Sequence, residues 1–548
     1  MLFRSAYGTD ESKLCDPIKV EIDADAPDFK GSKMNLFHYK LDNLTPGTRY
    51  YYEVKLEGGA TCKASFKTLS EKPDQIRLIT LSDSHIFATR AELDQAIKEF
   101  DPDLLLHCGD MVEGTGAQAE QFSFWFQGKV ENDYIHSYPV VYSSGNHDQG
   151  GVYFDTYVYS IQDEEYGAEV EGDSSFNYAG LHIITMNSNP WGLFQMNSEA
   201  TGQKADAATI KTIDNAMNWL KKDLATDAAK NADFRLIFMH HPVSDAYTKR
   251  YIPAVIEPGK VDLLLSGHTH SYARAVSSNP AVGAGTVYLT HQDARTYNKK
   301  GDFFYITSTP GSGVLDVKNY GATAAGQDSK VANETLVAKD KQRLSWSDIS
   351  ITPSEVLYNG EVTVTAKVTN NGKGLAAAVI PVVDNGTTRY LYKFEDGIVT
   401  LDPGKSATLT GTLRMETLGT HTLKLADKTV SVNVKYRPAT FDYTNIRTQQ
   451  GNGKTSDMNS NILHIKADVV NIGNDAGTGT AEFKVNGVTV GTRQYTLKSG
   501  ESQTAEFAYT FDKAGKYEVT IGNAKPEIVY IEGDRKSTRL NSSHTDIS

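Results

Sequence analysis

Asp83-Ser84-His85, Gly109-Asp110, Gly145-Asn146-His147-Asp148, Met239-His240-His241-Pro242 and Gly267-His268-Thr269-His270 form five short blocks of one kind. Nearly every block supplies Asp, Asn or His, donors that suit Zn, Fe or Mn. Seven such donors on converging loops can hold two cations with one carboxylate shared. A metal pair roughly 3.5–4 Å apart can bridge a hydroxide and clamp the attacking and leaving oxygens of a phosphoryl group. A positioned His can then protonate the departing alkoxide. A lone Asp-x-His or Gly-Asp arises by chance in many chains; five blocks in order do not.

Something must bring these blocks together, and the residues before each say what. Ile76 to Leu81, Leu104 to Leu106, Val140 to Tyr142, Phe234 to Met239 and Val261 to Leu265 are short apolar runs, each leading into one block. Such runs, with helical stretches between them, read as buried strands. Polar residues at the ends of such strands gather at one rim of a sheet, where α/β proteins place their sites. Ala91 to Phe100 and Ala207 to Leu224 read as helices, the second with Ile210, Ile213, Met217, Leu220 and Leu224 as its apolar stripe. His182 to Met186 reads as a further strand, and residues 188–202 as a surface insertion or, alternatively, a loop over the site.

The chain has 548 residues, too many for one core, and is expected to form about three to five domains. Its net charge of −13 disfavours a nucleic-acid scaffold as partner. No apolar run approaches the roughly 18 residues of a membrane span. Cys15, Cys62 and Cys108 lack zinc-knuckle spacing; Cys15 and Cys62 either pair or stay free, and Cys108 is read as core.

Residues 6–72 read as a partial β-sandwich, with strands at Asn35 to Lys40, Tyr50 to Leu56 and Cys62 to Thr68. Residues 74–335 alternate strand and helix. Beyond them Thr, Val, Gly and Asn dominate, and Val362 to Val368 alternates as a half-buried strand does. An internal repeat pairs Val368-Thr369-Asn370-Asn371-Gly372 with Val469-Val470-Asn471-Ile472-Gly473, and Leu401 to Ser406 with Leu497 to Ser502. One β-sandwich each is expected at 343–436 and 437–533, with His421 and His464 structural. Residues 1–5 and 534–548 resemble translated sequencing adapters and are expected to be non-native ends.

The five blocks resemble the calcineurin-like metallophosphoesterase superfamily. The stretch from His38 to Tyr52 resembles the fibronectin-III-like domain ahead of purple acid phosphatases, and Ser271-Tyr272-Ala273-Arg274 their continuation after the last block. The repeats resemble adhesion-related modules appended to extracellular bacterial enzymes. The resemblance implies an αββα α/β core flanked by immunoglobulin-like all-β sandwiches. It implies two divalent or mixed-valence ions of Fe, Mn or Zn. Asp83, His85 and His270 would hold the first, Asn146, His240 and His268 the second, and Asp110 both. His147 would be the general acid or a phosphate contact, with Asp148 orienting its ring. Strand alternation leaves His240 and His241 as alternatives for one place; the family pattern of His two residues before Pro points to His240.

The implied activity is phosphate-ester hydrolysis by metal-bound hydroxide, on a monoester as acid phosphatases do. Alternatives are a phosphodiesterase or nucleotidase, and an adhesion protein with a vestigial site. An extracellular or cell-surface location is expected, with polysaccharide or surface contact through the repeats. One departure stands out. Purple acid phosphatases carry Gly where His85 stands and Tyr where Glu113 stands, so no purple tyrosinate colour is expected, and Glu113 reads as solvated or bonded to backbone, with a carboxylate standing behind the metal ligands as the alternative.

Overall fold

The computed structural model describes residues 3–20, 39–56, 59, 61–85, 97–113, 121, 133–148, 172–189, 207–243, 255–256, 261–276, 285–292, 302–321, 330–339, 344–391, 399–450 and 461–531. Two compact units emerge: Met1–Ser347 with Lys367–Val379 and Glu395–Thr408, and Asp348–Ala366 with Ile380–Phe394 and Leu409–Ser548.

The first unit begins with strands β1 (Phe3–Gly8), β2 (Ile18–Val20), β3 (Arg49–Leu56) and β4 (Thr61–Lys67), in the order β2-β1-β3-β4. Tyr50 stacks on Phe66 across β3 and β4, with ring centroids 5.8 Å apart. Cys15 and Cys62 are both exposed and free. Of the expected strand at 35–40, residues 35–38 lie outside the described residues, and 39–40 are not strand. Residues 534–548 also lie outside them, whereas Phe3–Ser5 belong to β1.

Two six-stranded sheets follow. The first has the order β16-β15-β14-β5-β6-β7, from β5 (Ile76–Leu81), β6 (Leu104–His107), β7 (Val140–Tyr142), β14 (Asp302–Ser308), β15 (Val314–Gly321) and β16 (Lys330–Ala338). The second has the order β12-β13-β11-β10-β9-β8, from β8 (Ser174–Tyr178), β9 (Leu181–Thr185), β10 (Phe234–Phe238), β11 (Leu263–Ser266), β12 (Ala273–Val276) and β13 (Val287–Thr290). The strands that carry the blocks run parallel within each sheet: β5, β6 and β7 in one, β10 and β11 in the other.

Period-two alternation explains the layering. Leu78, Leu104 and Leu106 of one sheet share a core with Ile183, Leu236, Phe238 and Leu265 of the other. The intervening side chains bury outward. Ile79, Leu81 and Leu105 pack on Ile97 and Phe100 of the helical residues 97–100. Ile184, Ile237 and Leu264 pack on helix α1 (Ala207–Asp223). Strands buried on both faces read as continuous apolar runs, which is why each run was visible in the sequence. The α1 stripe differs at one end. Ile210 is 42% exposed, because packing on the sheet begins at Ile213, a turn further in, where Trp219 joins it. Of the expected helix at 91–100, residues 91–96 lie outside the described residues, as do 190–202 of the expected insertion.

In the second unit, Phe441–Gln450, Ile462–Asn471 and Ser502–Thr510 form one antiparallel sheet. Gly477–Val485, Val488–Leu497, Gly515–Ile521 and Glu527–Ile531 form another. Ile465, Val469, Phe483 and Val519, drawn from both sheets, lie in one core. His421 is bonded to Asp384 at 2.7 Å and His464 to Glu506 at 3.0 Å, both structural roles.

Candidate metal centre

Each block occupies the turn that follows the C-terminal end of its strand. The turns are tight, and several donor residues adopt left-handed backbone: Asp83 (φ 55°), His85 (47°), Asp110 (57°), His268 (70°) and His270 (51°). Non-glycine residues rarely hold this conformation, and such strain clusters at functional sites. Backbone bonds lock turn to turn. Asp83 N–H donates to Gly109 O at 3.0 Å, His85 N–H to Asp110 O at 3.0 Å, and Gly267 N–H to His240 O at 2.8 Å. The motif glycines permit this approach. A side chain at Gly145 would drive into the Asp110 carboxylate, and one at Gly267 into Ser82 and the Asp83 carboxylate.

The donors gather as two groups joined by Asp110. In the first, Asp83, His85, Asp110 and His270 offer ligand atoms within 4.8 Å of one another. His270 Nε2 lies 3.2 Å from Asp83 Oδ1, and His85 Nε2 lies 3.3 Å from His270 Nε2 and 3.7 Å from Asp110 Oδ2. In the second, His240 Nε2 lies 3.1 Å from Asp110 Oδ2 and 3.0 Å from Asn146 Oδ1, with His268 Nδ1 2.9 Å from that same Asn146 oxygen. The structure thus brings together all seven predicted donors. His240 reaches Asp110 and Asn146. His241 stands beside it, its Nδ1 2.9 Å from Ser188 Oγ, in the group of imidazoles with His240 and His268.

Asp83 is fully buried and Asp110 almost so. Burial alone would raise both carboxyls, but His240 and its imidazole neighbours outweigh it and hold both below the usual range. Burial likewise opposes a charge on His240, yet the Asp110 and Asp83 carboxylates lift it to about 9. Burial and the His240 charge lower His268 to about 4. The pattern is a cluster of buried carboxylates and imidazoles that face a common point. Hard and borderline O and N donors, buried and convergent, fit a pair of cations of the Zn, Fe or Mn class.

Two expectations change in detail. Asp148 does not orient the His147 ring. Its buried carboxylate accepts backbone N–H groups from Asp110 (2.7 Å), Met111 (2.8 Å), Val112 (3.2 Å) and Gly145 (2.8 Å). Those donors use its lone pairs, so Asp148 fixes the turn that carries Asp110; burial and the Asp110 charge push it up to about 7. His147 instead bonds through Nδ1 to Glu113 O, and its backbone N–H donates to Asp110 Oδ1 at 2.8 Å. Glu113 bonds to backbone less than expected: its carboxylate approaches His85 Nδ1 at 3.2 Å.

Among the described residues, His107, His182 and His291 have structural partners. His107 accepts from Gly109 N–H at 3.2 Å and donates to Ser84 Oγ at 2.9 Å, tying the first two turns together. Burial lowers it to about 3, so it stays neutral. His291 lies 3.0 Å from Thr80 Oγ1, and His182 sits between Asn177 and Asp223. Ser188, which positions His241, carried no signal in the sequence, since a serine after a strand is commonplace.

Residues 76–272 match the calcineurin-like phosphoesterase family. No curated protein matches the chain by sequence. Among solved structures, one described as PhoD has a TM-score of 0.45 and 11% identity, covering 62% of this chain and 84% of its own. A dimetal phosphatase from Danio rerio has a TM-score of 0.33 and 12% identity, covering 48% and 98%. A conserved uncharacterized protein from Streptococcus pneumoniae, described as a predicted phosphoesterase, has a TM-score of 0.24 and 9% identity, covering 48% and 98%. The family match, together with the convergent donors, identifies within residues 76–272 a calcineurin-like metallophosphoesterase domain.

Proposed function

We propose that this chain hydrolyses phosphate monoesters at a two-cation centre held by Asp83, His85, Asp110, Asn146, His240, His268 and His270. The observation that carries the reading is Asp110, whose Oδ2 lies 3.7 Å from His85 Nε2 and 3.1 Å from His240 Nε2, so one carboxylate serves both donor groups. Bound cations would supply Lewis acidity and a water of lowered pKa. The chain's own residues do the rest. Asp148 and the tight turns fix Asp110, and Asn146 Oδ1 aligns His240 and His268. A carbonyl only accepts, so His147 Nδ1 carries a proton toward Glu113 O. That leaves Nε2 as the atom that, in the imidazolium form of the ring, would give its proton to the leaving alkoxide and return to the neutral Nδ1–H tautomer.

The test is elemental analysis of purified protein with rates on nitrophenyl phosphate and bis-nitrophenyl phosphate. Two equivalents of metal and faster cleavage of the monoester support the reading. Faster cleavage of the diester would replace it with a phosphodiesterase. Metal without hydrolysis of any phosphate ester would favour an adhesion protein. Among the described residues no helix is long and apolar enough to cross a membrane. The tandem β repeats support an extracellular or cell-surface location, and finding the protein only in the cell lysate of its source would contradict that.

A further inference from the structure

We propose that Glu113 is a positioning residue that serves both His85 and His147, setting the tautomer of the first cation's ligand and the aim of the proton donor. The inference rests on the two-cation reading above and adds a residue to it. His85 faces Asp83, Asp110 and His270 through Nε2. An imidazole that ligates through Nε2 must keep its proton on Nδ1, and a carboxylate beside Nδ1 fixes that tautomer and raises the basicity of the other nitrogen. Glu113 Oε2 stands 3.2 Å from His85 Nδ1. The same residue's carbonyl accepts from His147 Nδ1.

Glu113 is itself held. Its backbone N–H donates to Gln121 Oε1 at 2.9 Å. The N–H groups of Met111 and Val112 just before it are gripped by Asp148. The His85 and His147 rings meet edge to face, with centroids 4.8 Å apart. One residue thus spans a ligand of the first donor group and the acid candidate, by side chain to the former and by backbone to the latter. Substitution at Glu113 separates these two roles, because the carbonyl survives any side-chain change. The side chain is 45% exposed, so its removal leaves no buried hole.

The experiment is calorimetric titration of the metal-free full chain with Co2+, read alongside the Co2+ absorption bands, for wild type, Glu113→Ala and Glu113→Gln. Wild type takes up two equivalents. In Glu113→Ala one equivalent weakens by about tenfold or more, the scale expected for loss of a carboxylate behind a ligating histidine, and its absorption bands shift. The other equivalent keeps its affinity. Glu113→Gln, which still offers an oxygen but no charge, falls between. Two unchanged equivalents in Glu113→Ala, or equal weakening of both, overturns the proposal. A wild type that takes up fewer than two equivalents instead breaks the two-cation reading, so the two failures are distinct.

Discussion

The strand ends around Asp110 and the turns around Asn370 and Asn471 both bury polar side chains, and they do so in opposite ways. Asn370 and Asn471, 101 positions apart, make matching bonds. Asn370 Nδ2 donates to Gly374 O and Leu401 O at 2.9 Å each, and its Oδ1 accepts from Gly372 N–H at 2.9 Å. Asn471 Nδ2 donates to Asp475 O and Leu497 O, and its Oδ1 accepts from Gly473 N–H at 2.9 Å. Gly404 N–H donates to Asn370 O, and Gly500 N–H to Asn471 O. Nearby backbone takes both N–H groups of each amide and bonds its oxygen as well. At the strand ends, carboxylate, imidazole and amide atoms from five separate turns converge on one another. Saturated buried polar groups close a turn, whereas convergent ones make a site.

The largest effect expected from breaking this contrast is on Asp110. Asp110→Asn removes the shared charge, and turnover should fall by more than the ~10–100-fold typical of residues behind the ligands, while circular dichroism stays unchanged. Asn471→Ala should do the reverse. It leaves buried carbonyls without donors, at roughly 1–3 kcal/mol each, so denaturant titration should show early unfolding of the second unit with hydrolysis intact. Loss of turnover in that variant would undo the distinction between saturated and convergent groups.

The two regions should also differ in their pH windows. His240 is raised to about 9 in the metal-free chain, so the stabilisation its proton confers is fully present below the unfolded value of 6.5 and lost as pH rises through about 9. A cation must displace that proton, so metal affinity should climb with pH across this window. Calorimetry in buffers of different ionisation enthalpy should detect protons released on loading; none released would contradict this. In the second unit Arg447 lowers Asp468, so that contribution is present above the usual carboxylate range and lost as pH falls through the lowered value. Both side chains are exposed, and surface pairs contribute little. Arg447→Ala should therefore cause the smallest change, a slight reduction in acid-induced destabilisation.

The donors were legible because each follows an apolar run, and buried parallel strands leave such runs in the sequence. Asn370 and Asn471 were legible as a repeat for a related reason: Leu401 and Gly404 recur as Leu497 and Gly500, the positions their turns bond. Asp148 was misread because its partners are backbone N–H groups, which no residue pattern marks. Glu113 was underestimated because a half-exposed carboxylate looks the same in sequence whether or not a histidine turns toward it. Ile210 obeyed the helical period yet fell beyond the sheet, a matter of where the layers end.

Diffraction from metal-loaded crystals, with anomalous signal at the metal's absorption edge, tests the central claim most directly. The account predicts two cations per chain, both bonded to Asp110, one also to His85 and the other to His240. A single cation, or a pair that leaves Asp110 without a bond to both, would contradict it.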